Sequence, residues 1–236
     1  GCTATATATV NSSSSIASTN AVTNVLCNGA STGSATVTVT GNNGPVTYVW
    51  VPNVSTTNTA TGLAAGTYVV TATDATGCPT TTTVTITQPT ALTNTFTQVN
   101  VLCNGNTTGS ATVTASGGTP GYTFTWAPAV ANTTSGSSNT ASGLAAGTYV
   151  CTITDLNGCT SSRTVIITQP PALVLAVSAT TTTCGNNNGS VTVTATGGTG
   201  TPIYVWTPGN YTTATVTNLA AGSYVVTVTD GNGCTA

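Results

Sequence analysis

Apolar and polar residues alternate along most of this chain with a period of two. Over residues 34–40, Ala35, Val37 and Val39 interleave with Thr36, Thr38 and Thr40, the pattern of a strand with one buried and one wet face. A longer stretch, residues 62–78, organises the rest. Leu63 and a tight Ala-Ala-Gly corner lead into a strand in which Tyr68, Val70 and Ala72 alternate with Val69, Thr71 and Thr73. Asp74 and Gly77 then form a turn whose carboxylate is placed to bond nearby backbone N–H groups. The stretch recurs at residues 143–159 and 218–234, with Leu and Cys fifteen positions apart in every copy. Such a repeat governs the whole reading of the fold.

Other elements recur in step. Each copy has a strand carrying a Trp followed by x-Pro, at Trp50, Trp126 and Trp206. From Trp to Leu is 13 residues in the first and third copies and 18 in the second, so the extra length is read as one surface loop around residues 132–139. The first two copies close with a last strand and Gln88-Pro89 or Gln169-Pro170, short linkers of semi-rigid character. About seven strands per copy, with a Leu, a Gly-containing corner and Tyr68, Tyr149 or Tyr224 opening a strand, suggest the tyrosine corner of immunoglobulin-like sandwiches. The expected fold is all-β, a tandem array of immunoglobulin-like β-sandwich repeats. Its boundaries fall at 1–13 for the closing strand and linker of a preceding repeat, 14–89, 90–170, and 171–236 for a third repeat lacking its last strand.

Composition narrows the function. Thr is about a quarter of the chain, Lys and Arg together number one, His is absent, and only three acids are present. That leaves no basic footprint for nucleic acid or an anionic membrane surface, and no apolar run long enough for membrane insertion. Catalysis lacks its inventory: Asp74, Asp155 and Asp230 occupy equivalent positions of separate copies, and no His or Lys stands by as a base. They are read as structural turn residues. One carboxylate per copy is too few for calcium, and no cysteine cluster has zinc spacing. No cofactor and no metal site is expected. Trp50, Trp126 and Trp206 fit either a core or an exposed sugar-stacking platform; their shared strand position beside Tyr or Phe favours the core.

Eight cysteines in a chain this poor in large apolar residues indicate an oxidising compartment. Cys27, Cys103 and Cys184 each lie 25 residues after Cys2, Cys78 and Cys159, while the step from Cys2 to Cys78, Cys159 and Cys234 is 76, 81 and 75. Pairing within each repeat is preferred, as Cys27–Cys78, Cys103–Cys159 and Cys184–Cys234, each closing a loop worth about 4 kcal/mol on the chain-entropy estimate. Against it, the end of the first strand and the start of the last lie at opposite ends of a plain immunoglobulin sandwich. The rival is a staple between neighbours, Cys27 to Cys159 and Cys103 to Cys234. Cys151 replaces Val70 and Val226 and is expected as a buried thiol, with Cys2 unpaired or inter-repeat.

Together Cys-Asn-Gly-x-x-x-Gly-Ser-Ala-Thr-Val-Thr, Tyr-x-x-Trp or Tyr-x-Trp, Gly-Leu-Ala-Ala-Gly-Thr-Tyr-Val-Val-Thr, Thr-Asp-x-x-Gly-Cys and Ile-Thr-Gln-Pro resemble the SprB repeat, three times over. The departures are Asn11-Ser12-Ser13 in place of Thr-Gln-Pro, Cys184-Gly185 in place of Cys-Asn-Gly, and the extra Cys151. The family occurs in very large secreted surface proteins of Bacteroidetes-type bacteria, including gliding adhesins. The resemblance implies an extracellular structural or adhesive role and supplies no ligand.

The expected function is therefore a structural segment of an extracellular bacterial surface adhesin or filament, a disulfide-stapled rod associating end to end. The alternative is a glycan-binding adhesive module. The partners expected are copies of itself or neighbouring repeats of a longer chain. Residues 1–4 repeat residues 233–236, so Thr3, Ala4, Thr5, Ala6, Thr7, Ala8, Thr9 and Val10 are read as a closing strand that pairs outside its own chain, either because the chain is a window on a longer continuous array or because separate subunits join head to tail, residues 3–10 of one completing the third repeat of another.

Overall fold

The computed structural model describes residues 1–8, 15–183 and 185–236; Thr9, Val10 and Cys184 of the expected sites lie outside these. The described residues form eighteen strands and no helix. They divide into two compact units, Gly1–Leu92 with Gly117–Pro120 and Asp155–Cys159, and Thr93–Ser116 with Gly121–Thr154 and Thr160–Ala236.

In the first unit, β1 (Ala17–Thr23), β2 (Gly33–Thr40), β3 (Thr47–Val51), β4 (Thr59–Leu63), β5 (Gly66–Thr73) and β6 (Pro79–Ile86) make two antiparallel sheets, ordered β1-β2-β4 and β3-β5-β6. The alternating positions meet between them. Val37, Trp50, Leu63, Val70, Val84 and Ile86 are almost wholly buried, while the intervening Thr side chains are exposed or half-buried. Gly33 is required for closeness: a Cβ there would lie 2.8 Å from Ile86 Cγ2 and 2.8 Å from the Leu63 carbonyl oxygen.

The second unit repeats the plan twice. Strands β7 (Thr93–Val99), β8 (Gly109–Ser116), β9 (Thr123–Ala127), β10 (Asn132–Ser135), β11 (Ser138–Leu144), β12 (Gly147–Thr154) and β13 (Thr160–Ile167) form sheets β10-β11-β8-β7 and β13-β12-β9. Read as A to G in chain order, these are the ABED and CFG sheets of a constant-type immunoglobulin domain. Strands β14 (Val174–Thr180), β15 (Gly189–Thr196), β16 (Ile203–Thr207), β17 (Thr215–Leu219) and β18 (Val225–Thr229) form sheets β14-β15-β17 and β16-β18. The fold is thus all-β, with immunoglobulin-like sheet pairs in tandem.

About seven strands are expected per repeat, with the third lacking its last. The first repeat has six, the second seven and the third five among the described residues. The extra residues of the second repeat are not a plain surface loop: they build β10, which pairs with β11 from Asn132↔Ala141 to Ser135↔Ser138. In the third repeat only the start of a strand runs beside β18, where Val228 and Ala236 exchange backbone hydrogen bonds of 3.0 Å. A cavity of about 430 Å³, lined among others by Val177, Gly189, Val191, Leu219 and Tyr224, occupies the place that Ile86 and Ile167 fill against Gly33 and Gly109 in the other repeats.

Arg163, the chain's single cation, lies on β13. Its guanidinium sits 4.7 Å from the Phe96 ring centroid, and its Nε donates to Asn94 Oδ1 at 2.9 Å.

Candidate functional site

The two loops that follow β1 and β7 share one construction. Asn28 Nδ2 donates to the Pro89 carbonyl at 2.9 Å, and the Gly29 N–H donates to Gln88 Oε1 at 2.8 Å. Asn104 and Gly105 make the same bonds to Pro170 and Gln169, at 2.9 and 2.8 Å. The Val25 and Val101 N–H groups add backbone bonds to Thr87 and Thr168. The Cys-Asn-Gly and Gln-Pro motifs are therefore two halves of one clamp, which fixes the position of Cys27 and Cys103.

The turns opposite are built on aspartate. Asp155 Oδ1 accepts from the N–H groups of Asn157 and Cys159, each at 2.9 Å, and Oδ2 accepts from Thr119 N–H at 2.9 Å. Asp230 repeats this with Asn232, Cys234 and Thr199, and Asp74 with Thr76, Cys78 and Asn43. All three carboxylates are buried yet remain ionised below the usual carboxylate range. For Asp74 the Thr76 hydroxyl and the Asn43 N–H bring the value down to about 2. For Asp155 and Asp230 burial opposes the charge, and the backbone N–H donors, chiefly Thr119 and Cys159 in one and Cys234 and Thr199 in the other, outweigh it. A carboxylate whose folded value is depressed contributes stability that is complete above its unfolded value, 3.8, and is lost as pH falls toward the folded one, near 2 for Asp74. The expected outcome is an acid-labile fold, with a melting temperature that drops between pH about 4 and about 2; carboxyl NMR titration checks the three values directly.

Loop and turn meet through sulfur. Cys27 is bonded to Cys159 in the first unit, and Cys103 to Cys234 in the second, each with a Cα–Cα distance of 5.6 Å. Beside each disulfide an Asn side chain donates to the carbonyl preceding the loop cysteine: Asn157 Nδ2 to Leu26 at 3.0 Å, Asn232 Nδ2 to Leu102 at 2.9 Å. The preferred pairing within repeats is overturned. Cys78 is a free, half-buried thiol, while Cys159 is bonded to Cys27 and Cys234 to Cys103, the neighbour staple. The physical reason is topological, since the loop after the first strand and the turn before the last lie at opposite ends of one sandwich, out of reach of each other. Reading the sequence missed the Asn amide bonds; the signal was Asn rather than Thr two places after the Asp.

The remaining site residues stand as follows. Trp50, Trp126 and Trp206 are 1, 4 and 1% exposed, so they are core and present no platform to a sugar. Tyr68, Tyr149 and Tyr224 each donate to the carbonyl four residues earlier, on Ala64, Ala145 and Ala220, at 3.0 to 3.2 Å, which is the tyrosine corner. Cys151 is a buried free thiol, and Cys2 an exposed one. Residues 3–8 are exposed and belong to no strand.

Residues 19–55 and 95–131 match the SprB repeat family. Each match runs from the first strand, through the clamped Cys-Asn-Gly loop, to the residues after the Trp strand. No curated protein matches the chain. Similar solved structures include the eight N-terminal immunoglobulin domains of Down Syndrome Cell Adhesion Molecule, at 13% identity and TM-score 0.43, covering 96% of this chain and 43% of that one. A mutated segment of titin gives 13% identity and TM-score 0.40, covering 86% and 88%. The ectodomain of mouse nectin-like molecule 4 gives 10% identity and TM-score 0.37, covering 93% and 91%. This chain thus spans under half the length of the Down Syndrome Cell Adhesion Molecule fragment.

Proposed function

We propose that this SprB-repeat chain is a structural segment of an extracellular bacterial surface adhesin or filament, a disulfide-stapled rod that joins end to end with copies of itself. The observation that carries the reading is the staple. Cys27–Cys159 and Cys103–Cys234 both run from one repeat to the next, with the same spacing, the same clamp and the same amide bond. A cross-link of that kind resists separation of successive repeats under load and needs an oxidising location, as a cell surface provides. A module that worked alone would gain nothing from it.

The end-to-end part rests on the apolar cavity of the third repeat. Counted from the cysteine, Ala8 holds the place of Val84 and Val165, and Val10 that of Ile86 and Ile167. A strand 3–10 from a second copy therefore brings its small apolar face to the cavity and its Thr face to water, as strand addition requires. Sedimentation velocity of the reduced chain, with and without residues 3–10, tests this. The whole chain is expected to associate with rising concentration and the truncated one to stay monomeric; equal behaviour of the two overturns strand donation. The rival glycan-binding role loses the three Trp residues on which it leaned, since they are core.

A further inference from the structure

Arg163 is the one Lys or Arg in 236 residues, and the first repeat shows that the sandwich closes without it. Counted from the cysteines, Phe96 and Arg163 hold the places of Asn20 and Thr82. These pairs lie on the flank where β1 packs beside β6 and β7 beside β13. In the first repeat Asn20 Nδ2 donates to Thr82 Oγ1 at 3.3 Å and to the Thr83 carbonyl at 3.2 Å, so neutral groups close the flank. In the second repeat both members are exchanged together. The guanidinium lies 4.7 Å from the Phe96 centroid, and a cation–π stack replaces the hydrogen bond.

The guanidinium is aimed as well as stacked. Asn94 Nδ2 donates to Ser161 Oγ at 2.9 Å and to the Ser162 carbonyl at 3.3 Å, which turns Oδ1 toward Arg163. Arg163 Nε donates to that oxygen at 2.9 Å, and Nη2 to the Asn94 carbonyl at 3.4 Å. Nη1 is left for an acceptor from outside, on a side chain that is only half-buried. A planar fork of fixed N–H donors matches a carboxylate. No carboxylate side chain of this sequence can serve, whether from the same copy or a second one. Asp74, Asp155 and Asp230 are its only acids, and each is buried and held by three backbone N–H groups.

We infer that Arg163, oriented by Asn94 and stacked on Phe96, binds the carboxylate of a uronate residue in an acidic polysaccharide. The inference stands apart from the staple and from the end-to-end reading, and it uses none of the buried Trp residues. A polysaccharide is favoured over an acidic peptide by the state of the edge strand β13. An extended peptide joins such an edge through backbone carbonyls. Here the Ser162 carbonyl already accepts from Asn94, and the Ile166 carbonyl from Gln98 Nε2 at 2.9 Å. What remains beside the guanidinium is the Ser161 hydroxyl and a Phe96 ring that is 39% exposed, which suit the hydroxyls and the C–H face of a sugar.

A single arginine gives a single Nε–H NMR signal, so the site reports on itself. Titrating the whole chain with trigalacturonate is expected to shift that signal saturably, and the fully methyl-esterified trisaccharide to leave it in place. Retardation in native gels containing polygalacturonate reads the variants. Arg163→Lys keeps the charge but loses the fork, and should weaken binding about tenfold. Phe96→Asn combined with Arg163→Thr installs the first repeat's own pair; it is expected to unfold as cooperatively as the parent chain and to lose the retardation. A signal that does not move with trigalacturonate, or moves equally with the methyl ester, overturns the inference. So does retardation that persists in the double variant, which would place binding elsewhere. A shift as large with a triglutamate peptide overturns the polysaccharide and assigns the site to an acidic peptide.

Discussion

The first and second repeats bury the same indole and satisfy it differently. Trp50 Nε1 donates to the backbone carbonyl of Thr57 at 2.8 Å, and Trp206 does the same with Thr213 at 2.9 Å. In the second repeat the chain between Trp and β11 is longer, and Trp126 Nε1 donates instead to the side-chain oxygen of Asn139 at 2.7 Å. Asn139 is 0% exposed, and its amide donates onward to Asn132 Oδ1 at 2.9 Å and Thr134 Oγ1 at 2.8 Å, both on β10. A buried N–H has to be paired. An insertion that carries the backbone acceptor away is tolerated only with a replacement, and here the replacement also anchors the added strand. The five extra residues thus changed the sandwich from six strands to seven through one buried amide.

The comparison breaks most sharply at that amide. Asn139→Leu removes the acceptor, leaves the Trp126 N–H buried and unpaired, and frees β10. It should cost about 2–3 kcal/mol. Asn58 stands five residues before Leu63 as Asn139 does before Leu144, but its side chain is exposed, and Asn58→Leu should change stability by less than about 0.5 kcal/mol. Denaturant unfolding of the two variants reads the difference. Combining Asn139→Leu with Trp126→Phe, which removes the N–H itself, should recover about 1 kcal/mol of the loss; strict additivity would show that the indole bond is not the cause.

Deleting residues 133–137 should do less harm than that single substitution. The shortened segment equals the first repeat's in length, and the carbonyl of Ser138 then stands seven residues after Trp126, as Thr57 does after Trp50. The repeat loses β10 and its pairing to β11, worth about 1 kcal/mol against water. In the shortened chain Asn139→Leu becomes as mild as Asn58→Leu. If the deletion instead costs more than Asn139→Leu does in the full chain, the two repeats do not share an interchangeable loop.

Period-two alternation made the strands legible, and the recurrence of Leu, Tyr, Asp and Cys made the repeat legible, because each such residue has one strongly preferred environment. The core places of Trp50, Trp126 and Trp206 followed from their neighbours. What stayed hidden depended on which motifs meet in space. Cys-Asn-Gly and Gln-Pro are each visible, yet nothing local says that Asn28 bonds Pro89 and Gly29 bonds Gln88. The disulfide partners were hidden for the same reason. A spacing of about 50 residues and one of about 130 are equally readable as numbers, and only the positions of loop and turn at opposite ends of a sandwich decide between them. β10 was misread as loop because Asn-Thr-Thr-Ser has no apolar alternation. Its place is set by Asn139 and by pairing to β11, not by a buried face of its own.

The smallest effect concerns the residues facing the two Trp side chains across the sheet. Val70 pairs with Trp50, and Cys151 with Trp126. Both are wholly buried, and their side chains are close in volume, so Cys151→Val should change stability by less than about 1 kcal/mol. Burial also sets the chemistry of Cys151, because desolvation penalises the thiolate and pushes the thiol up to about 11. At neutral pH the group is a small apolar filler. Alkylation with a maleimide should therefore modify Cys2 and Cys78 in the folded monomer whose two internal staples are formed, and leave Cys151 untouched until the second repeat unfolds. The rate of Cys151 labelling in low denaturant then reports the opening of that repeat alone, and it should rise in Asn139→Leu but not in Asn58→Leu. Labelling of Cys151 as fast as that of Cys78 would mean that the second repeat opens readily around Trp126, and that its side-chain amide holds the added strand less firmly than the first repeat's backbone carbonyl holds its loop.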